Sequence, residues 1–187
     1  MKNSTPFRDL AAAQGLIAVV LFLLMPLAAA FGPGSHPAAG LLHGLGASFT
    51  LLMATYTLHA YVGYARGNAK AETALRLRLL LTNVLTLCTI VAGNWLYVYY
   101  QAPDGASEWL QLHVPAGHWV LMEYKEFVSL LAFPFGVTAS VLLQRQVRSK
   151  RPAVEFRYVI GLLLTLVWLS LLIGFVFGLV LARWRTV

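Results

Sequence analysis

The sequence predicts an all-α bundle of membrane-spanning helices, folded as a single domain over residues 1–187. Three observations predict it. Hydrophobic residues make up 59% of the chain and charged residues 11%, against about 25% charge in ordinary soluble domains. A chain this poor in charge cannot cover a globular surface with polar groups, so lipid is its natural solvent. The apolar residues gather into five long runs, most near the ~20 residues that a bilayer-spanning helix needs. Most Lys and Arg residues fall in short segments between those runs, where they set topology.

The first run covers residues 10–31 and follows Lys2 and Arg8. It has two readings. Its basic start and its small-residue tail, Leu27-Ala28-Ala29-Ala30, resemble a cleavable secretory signal. Its length also suits a retained span, giving five spans, or four if the run is cleaved. The segment Gly32-Pro33-Gly34-Ser35-His36-Pro37 then breaks the helix, because Pro and Gly both punctuate helical patterns.

The second span is expected over residues 41–64, with His43 near its start and His59 near its end. Gly40, Gly44 and Ser48 recur every fourth residue, a spacing that lets helix backbones approach closely. A polar loop follows, from Arg66 to Glu72. The third span, 79–100, ends in Asn94-Trp95-Leu96-Tyr97-Val98-Tyr99-Tyr100, a cluster that reads as an interfacial aromatic belt. Asn83 and Asn94 are read as interhelical hydrogen-bonding groups, and Cys88 as a small buried hydrophobe. Residues 101–117 form the longest loop.

The fourth span, 119–143, opens on the chain's densest polar cluster, His113 to Glu126. Pro134 is expected to kink it. The basic loop Arg145–Pro152 follows, and the fifth span is expected over 159–181. Ser170, Gly174 and Gly178 make a second stripe of small side chains on it.

Charge counting sets the orientation. With the N-terminus in the cytoplasm, only Lys125, Arg183 and Arg185 of the 14 basic residues fall outside. The expectation is a multi-pass inner-membrane protein with its C-terminus extracytoplasmic. The net charge of +7 serves this layout. Nucleic-acid binding is not indicated, because the basic residues lack an aromatic platform. Glycine-rich phosphate loops and a His-Glu-x-x-His metal motif are missing from the sequence.

Two helical stripes cross the start of the fourth span. Trp119, Glu123, Glu126 and Leu130 share one, and His118, Met122, Lys125 and Ser129 the other, at 100° per residue. Ionisable groups below a membrane surface are costly and mark pathways or sites. Glu123, Lys125, Glu126 and His59 are therefore candidates for a proton or quinone relay. His43 and His118 are expected at similar depth on different helices. That makes them the candidate axial pair for the iron of a b-type haem. His43 and His59 cannot clamp one haem, since sixteen residues at ~1.5 Å rise separate them by about 24 Å.

The chain resembles five-helix haem b membrane anchors in span count and in carrying two histidines on one span. It departs from them in lacking paired histidines on a second transmembrane helix. The resemblance implies an electron-transfer or anchor subunit of a redox complex, with haem b, quinone and an extracytoplasmic or membrane protein as partners. Two other classes stand beside it. One is a non-catalytic accessory or assembly subunit; the other is a transporter of protons, ions or small solutes.

Overall fold

The computed structural model describes residues 36–149 and 154–184, with Leu16 and Val20 besides. Apart from those two positions the first apolar run, with its two readings, lies outside the described residues. So do Lys150, Arg151 and Arg185. All regular structure among the described residues is helical. The chain is an all-α bundle, and among the described residues four helices are long and apolar enough to cross a membrane.

Helix α1 is His36–Ala65 and α2 is Ala69–Tyr100. A short helix, α3, follows at Ala106–His113. A π-helical turn, Gly117–Met122, leads without a break into α4, Glu123–Arg148. The last helix, α5, is Val154–Trp184. Each expected span from 41–64 onward lies inside a longer helical stretch, the fourth running through the π turn into α4, because polar terminal turns continue the helix beyond the apolar run. The residue 66–72 loop shrinks accordingly. Gly67 takes φ 83°, a left-handed conformation that glycine adopts without a Cβ penalty. The Asn68 side chain then caps α2 by accepting from the Lys70 N–H at 2.9 Å.

α1 packs on α2 and α5, α2 on α4, and α4 on α5, with no contact across either diagonal. Short connections make α1 and α2, and α4 and α5, antiparallel neighbours, while α2 and α4 are joined through α3. The result is a square four-helix bundle with a defined axis. Its outward faces carry large apolar side chains, among them Leu41, Leu45, Phe49, Leu52, Phe127, Leu162 and Leu179. That is the surface a bilayer contacts. Cys88 is on this exposed surface too, which corrects its reading as a buried hydrophobe.

Among the described residues, close helix approach does not occur at Gly40 and Gly44 of the α1 stripe that the sequence points to. A Cβ at Gly40 or Gly44 would meet nothing within 4 Å. The tight crossings are at other glycines, each seating a side chain from a neighbouring helix. Gly136 on α4 receives Asn83, and Gly161 on α5 receives Tyr61. Gly174 on α5 receives Ser129, so part of the α5 stripe does act as a seam. α4 also runs on through Pro134 as one helix.

The two ends of the bundle differ. Arg66, Lys70, Arg76, Arg78, Arg145, Arg148 and Arg157 lie towards the end opposite α3. The α3 end is capped by an apolar cluster of Tyr100, Ala106, Leu110, Met122 and Leu181. Trp184 of α5 lies over Gly117, where a Cβ would come within 2.8 Å of its ring.

Candidate functional site

A cleft of about 160 Å³ lies on the bundle axis, beneath the α3 cap. Its lining is mostly apolar, including Ile90, Leu96, Leu130, Leu171 and Phe175. The exceptions carry the chemistry. α1 contributes His43, α2 contributes Asn94, Tyr97 and Tyr100, and α4 contributes Lys125, Glu126 and Ser129. The outer lip includes Leu130, which is 48% exposed on the lipid-facing side. A ring-sized hollow with a few convergent polar groups is the usual form of a small-molecule site.

Each polar group is placed by a local cause. The His43 ring lies flat on α2 at Gly93, where a Cβ would stand 2.8 Å from its Cε1. Its Nδ1 is 3.1 Å from the Thr89 carbonyl oxygen. A carbonyl only accepts, so Nδ1 carries the hydrogen and Nε2 presents a lone pair. Thr89 is fixed in turn by the Thr50 hydroxyl at 2.9 Å. The stem of Lys125 crosses α5 at Gly178, with Cε 3.6 Å from a Cβ there. The Lys125 charge acts on both His43 and Glu126. The Glu126 charge acts on the Tyr97 and Tyr100 phenols. Tyr97 also accepts from the Gln101 amide at 2.7 Å.

Beyond the cleft, towards the basic end, the axis closes. Thr57 and Thr82 pair at 2.8 Å. Asn83 donates to Ser140 across the α2–α4 interface at 2.9 Å, as read from the sequence. Then Leu75, Leu79, Leu143, Ile160 and Leu164 fill the interior. The cleft is therefore blind at that end.

His118 is not in the cleft. It is 3% exposed within the cap. The Tyr100 hydroxyl is 2.6 Å from its Nδ1, and the Gln111 amide nitrogen is 3.2 Å from its Nε2. Both ring nitrogens are thus engaged. His43 sits level with Gly93 and His118 level with Tyr100, seven residues along α2. At ~1.5 Å rise that is about 10 Å of depth. The two imidazoles cannot face each other across one iron. The residues present do not fit a haem between His43 and His118.

The relay candidates divide as well. Lys125 and Glu126 line the cleft, whereas Glu123 is exposed outside it. His59 is exposed near the far end of α1, away from the cleft. His113 is also exposed, stacked on Trp109 at 4.6 Å and bonded to its carbonyl oxygen. Of the two sequence stripes, the one with His118, Met122, Lys125 and Ser129 faces inward. Among the described residues, no group of three or more His, Cys, Asp or Glu side chains could hold a metal ion.

Comparison with protein-family models, curated proteins and solved structures finds no match to this chain. The functional reading rests on the residues of the cleft.

Two features of the site escape sequence reasoning. One is the pairing of Tyr100 with His118, which depends on how α2 and the π turn meet. The other is α3, which supplies Gln111 from what reads as a loop. Its N-terminus carries a signal: Glu108 lies in the first turn, where an acidic side chain suits the helix dipole, and its carboxylate accepts from the Asp104 N–H at 3.2 Å.

Proposed function

We propose that the protein is a membrane subunit of an electron-transfer system whose cleft binds the head group of a quinone or quinol. The observation that carries this reading is the convergence of His43, Lys125 and Glu126, from two helices, in a ring-sized hollow within an otherwise apolar bundle. An apolar cavity near this volume accepts a single six-membered ring. Lys125 donates to one ring oxygen. The lone pair on His43 Nε2 accepts a hydroxyl hydrogen of the quinol form. The lip at Leu130 lets an isoprenoid tail pass into lipid.

Oxidation of a bound quinol releases two protons and two electrons. Glu126 and His43 are the proton acceptors. The electrons go one at a time to an extracytoplasmic haem or iron–sulfur protein as the oxidant. In this layout the α3 end faces the extracytoplasmic side of the inner membrane and the arginine-rich end faces the cytoplasm, following the distribution of Lys and Arg.

Transport has less support, because the leucine-rich interior blocks the axis beyond the cleft. An assembly role has one observation in its favour: among the described residues, nothing packs on α1 at Gly40 and Gly44.

The test is an equilibrium titration of the protein in lipid nanodiscs with a short-tailed benzoquinone and its quinol. Saturable one-to-one binding is expected. Lys125→Met or Glu126→Gln is expected to weaken it about tenfold or more, the usual worth of a charge-assisted hydrogen bond. Non-saturable partitioning, identical in the two variants, would overturn the proposal.

A further inference from the structure

The α3 cap that closes the cleft is apolar, and one polar thread crosses it. Tyr100 belongs both to the cleft lining and to the cap. Its hydroxyl meets His118 Nδ1 at 2.6 Å, and the opposite ring nitrogen meets the Gln111 amide at 3.2 Å. Gln111 is exposed on the outer face of α3, whereas His118 is buried. We infer that Tyr100 and His118 form a gated proton path between the cleft and the aqueous surface at the α3 end. This inference rests on the cleft being a proton-handling site, as proposed above, and assigns the exit of that site.

The chemistry follows from the imidazole having two distinct nitrogens. As placed, Gln111 uses its amide nitrogen to donate to Ser107 Oγ at 3.1 Å and to His118 Nε2. Nε2 then accepts, and Nδ1–H donates to the Tyr100 oxygen. Turning the Gln111 amide over presents its carbonyl oxygen instead. The other tautomer is then favoured: Nε2–H donates outward and Nδ1 accepts from the Tyr100 hydroxyl. Both states satisfy every hydrogen bond on the ring, so neither is trapped by an unmet buried group.

Passage of one proton is balanced as follows. With the ring in the second state, Tyr100 gives its hydroxyl proton to Nδ1 and takes one from the Glu126 side of the cleft. His118 releases the hydrogen on Nε2 to water as the exposed Gln111 side chain swings aside. Reorientation of the ring then carries the protonated nitrogen to the Gln111 side and returns a bare nitrogen to the Tyr100 hydroxyl, which resets the relay with one proton passed outward. No electron moves in any of these steps. The neighbours that share the cap around His118 are Leu110 and Met122 from α3 and the π turn and Leu181 from α5, all uncharged. Trp119 meets the ring edge-on at 4.5 Å. Tyr100 is a titratable side chain bonded to it.

The experiment is time-resolved infrared spectroscopy of the protein in a lipid film after the buffer is switched from H₂O to D₂O. The imidazole, ammonium and carboxyl bands of the cleft are assigned with His43→Gln, Lys125→Met and Glu126→Gln. Tyr100→Phe removes one hydroxyl, and His118→Phe removes the relay ring. Both are expected to slow exchange at the cleft groups by at least about tenfold, the low end of what a positioned proton carrier supplies. Gln111→Ala truncates the side chain that lies on Nε2, opens that nitrogen to water and is expected not to slow it. Native exchange rates in Tyr100→Phe would overturn the inference, whatever His118→Phe does to folding. Slowed exchange without quinone binding would leave the path standing and remove the quinone. Quinone binding with unslowed exchange would do the reverse.

Discussion

Replacing Gly93 with alanine tests the cleft through a single methyl group. The new Cβ would stand 2.8 Å from His43 Cε1 and 2.9 Å from Nδ1, where ordinary contact begins at 3.4 Å. The imidazole must retreat by about 0.6 Å, the difference between those distances. The atoms that block the methyl belong to a ring fixed by its bond to Thr89, not to a flexible chain end. The 3.1 Å hydrogen bond from Nδ1 to the Thr89 carbonyl then lengthens beyond useful geometry. Loss of one such bond costs about 1 kcal/mol, or roughly fivefold in an equilibrium. The displaced ring also carries Nε2 off the quinol hydroxyl, a second bond of similar worth, so Gly93→Ala should weaken quinol binding about fivefold. It should also lower the stability of the bundle by about 1 kcal/mol. The assay is the nanodisc titration, with unfolding in a denaturing detergent for stability. Gly93→Ala with native affinity would refute the placement of His43 against α2, and with it the lining of the cleft.

Other substitutions separate the groups that line the cleft from those that do not. His59→Ala and Glu123→Gln should leave quinone affinity within about twofold, since exposed polar groups away from a site contribute little; the same titration reads this. Gly136→Ala drives a Cβ into the Asn83 amide and breaks its buried bond to Ser140, which should cost about 1–3 kcal/mol in detergent unfolding. Gly40→Ala and Gly44→Ala meet nothing and should change the same unfolding curve little, or stabilise α1 slightly through the better helix propensity of alanine.

The fold class and four spans were legible because lipid leaves a coarse signature. Long apolar runs broken by basic turns admit few arrangements, and each run from 41–64 onward lies within a described helical stretch, 119–143 across the π turn and α4. Helix ends were less legible. Hydropathy stops at the edge of the oil, while hydrogen bonding continues through residues such as Lys70 and Arg78. The candidate site was half legible. His43, Lys125 and Glu126 were singled out because polar groups in an apolar run need a reason. Their meeting was not foreseen, since it depends on α1 and α4 facing one cleft from opposite corners of the bundle. His118 misled for a physical reason. A histidine at a helix start looks like a ligand in sequence, and only the positions of Tyr100 and Gln111 show both nitrogens already engaged. Gly40 and Gly44 misled likewise, because four-residue spacing gives a smooth face but not the neighbour that uses it.

The most direct measurement is photolabelling in proteoliposomes with an azido-benzoquinone, with adducts mapped by mass spectrometry. The account predicts adducts that excess quinone suppresses, confined to residues near His43 on α1, Gly93 to Tyr97 on α2, and Lys125 to Leu130 on α4. Adducts spread over the lipid-facing side chains from Phe49 to Tyr56, and unaffected by excess quinone, would contradict it.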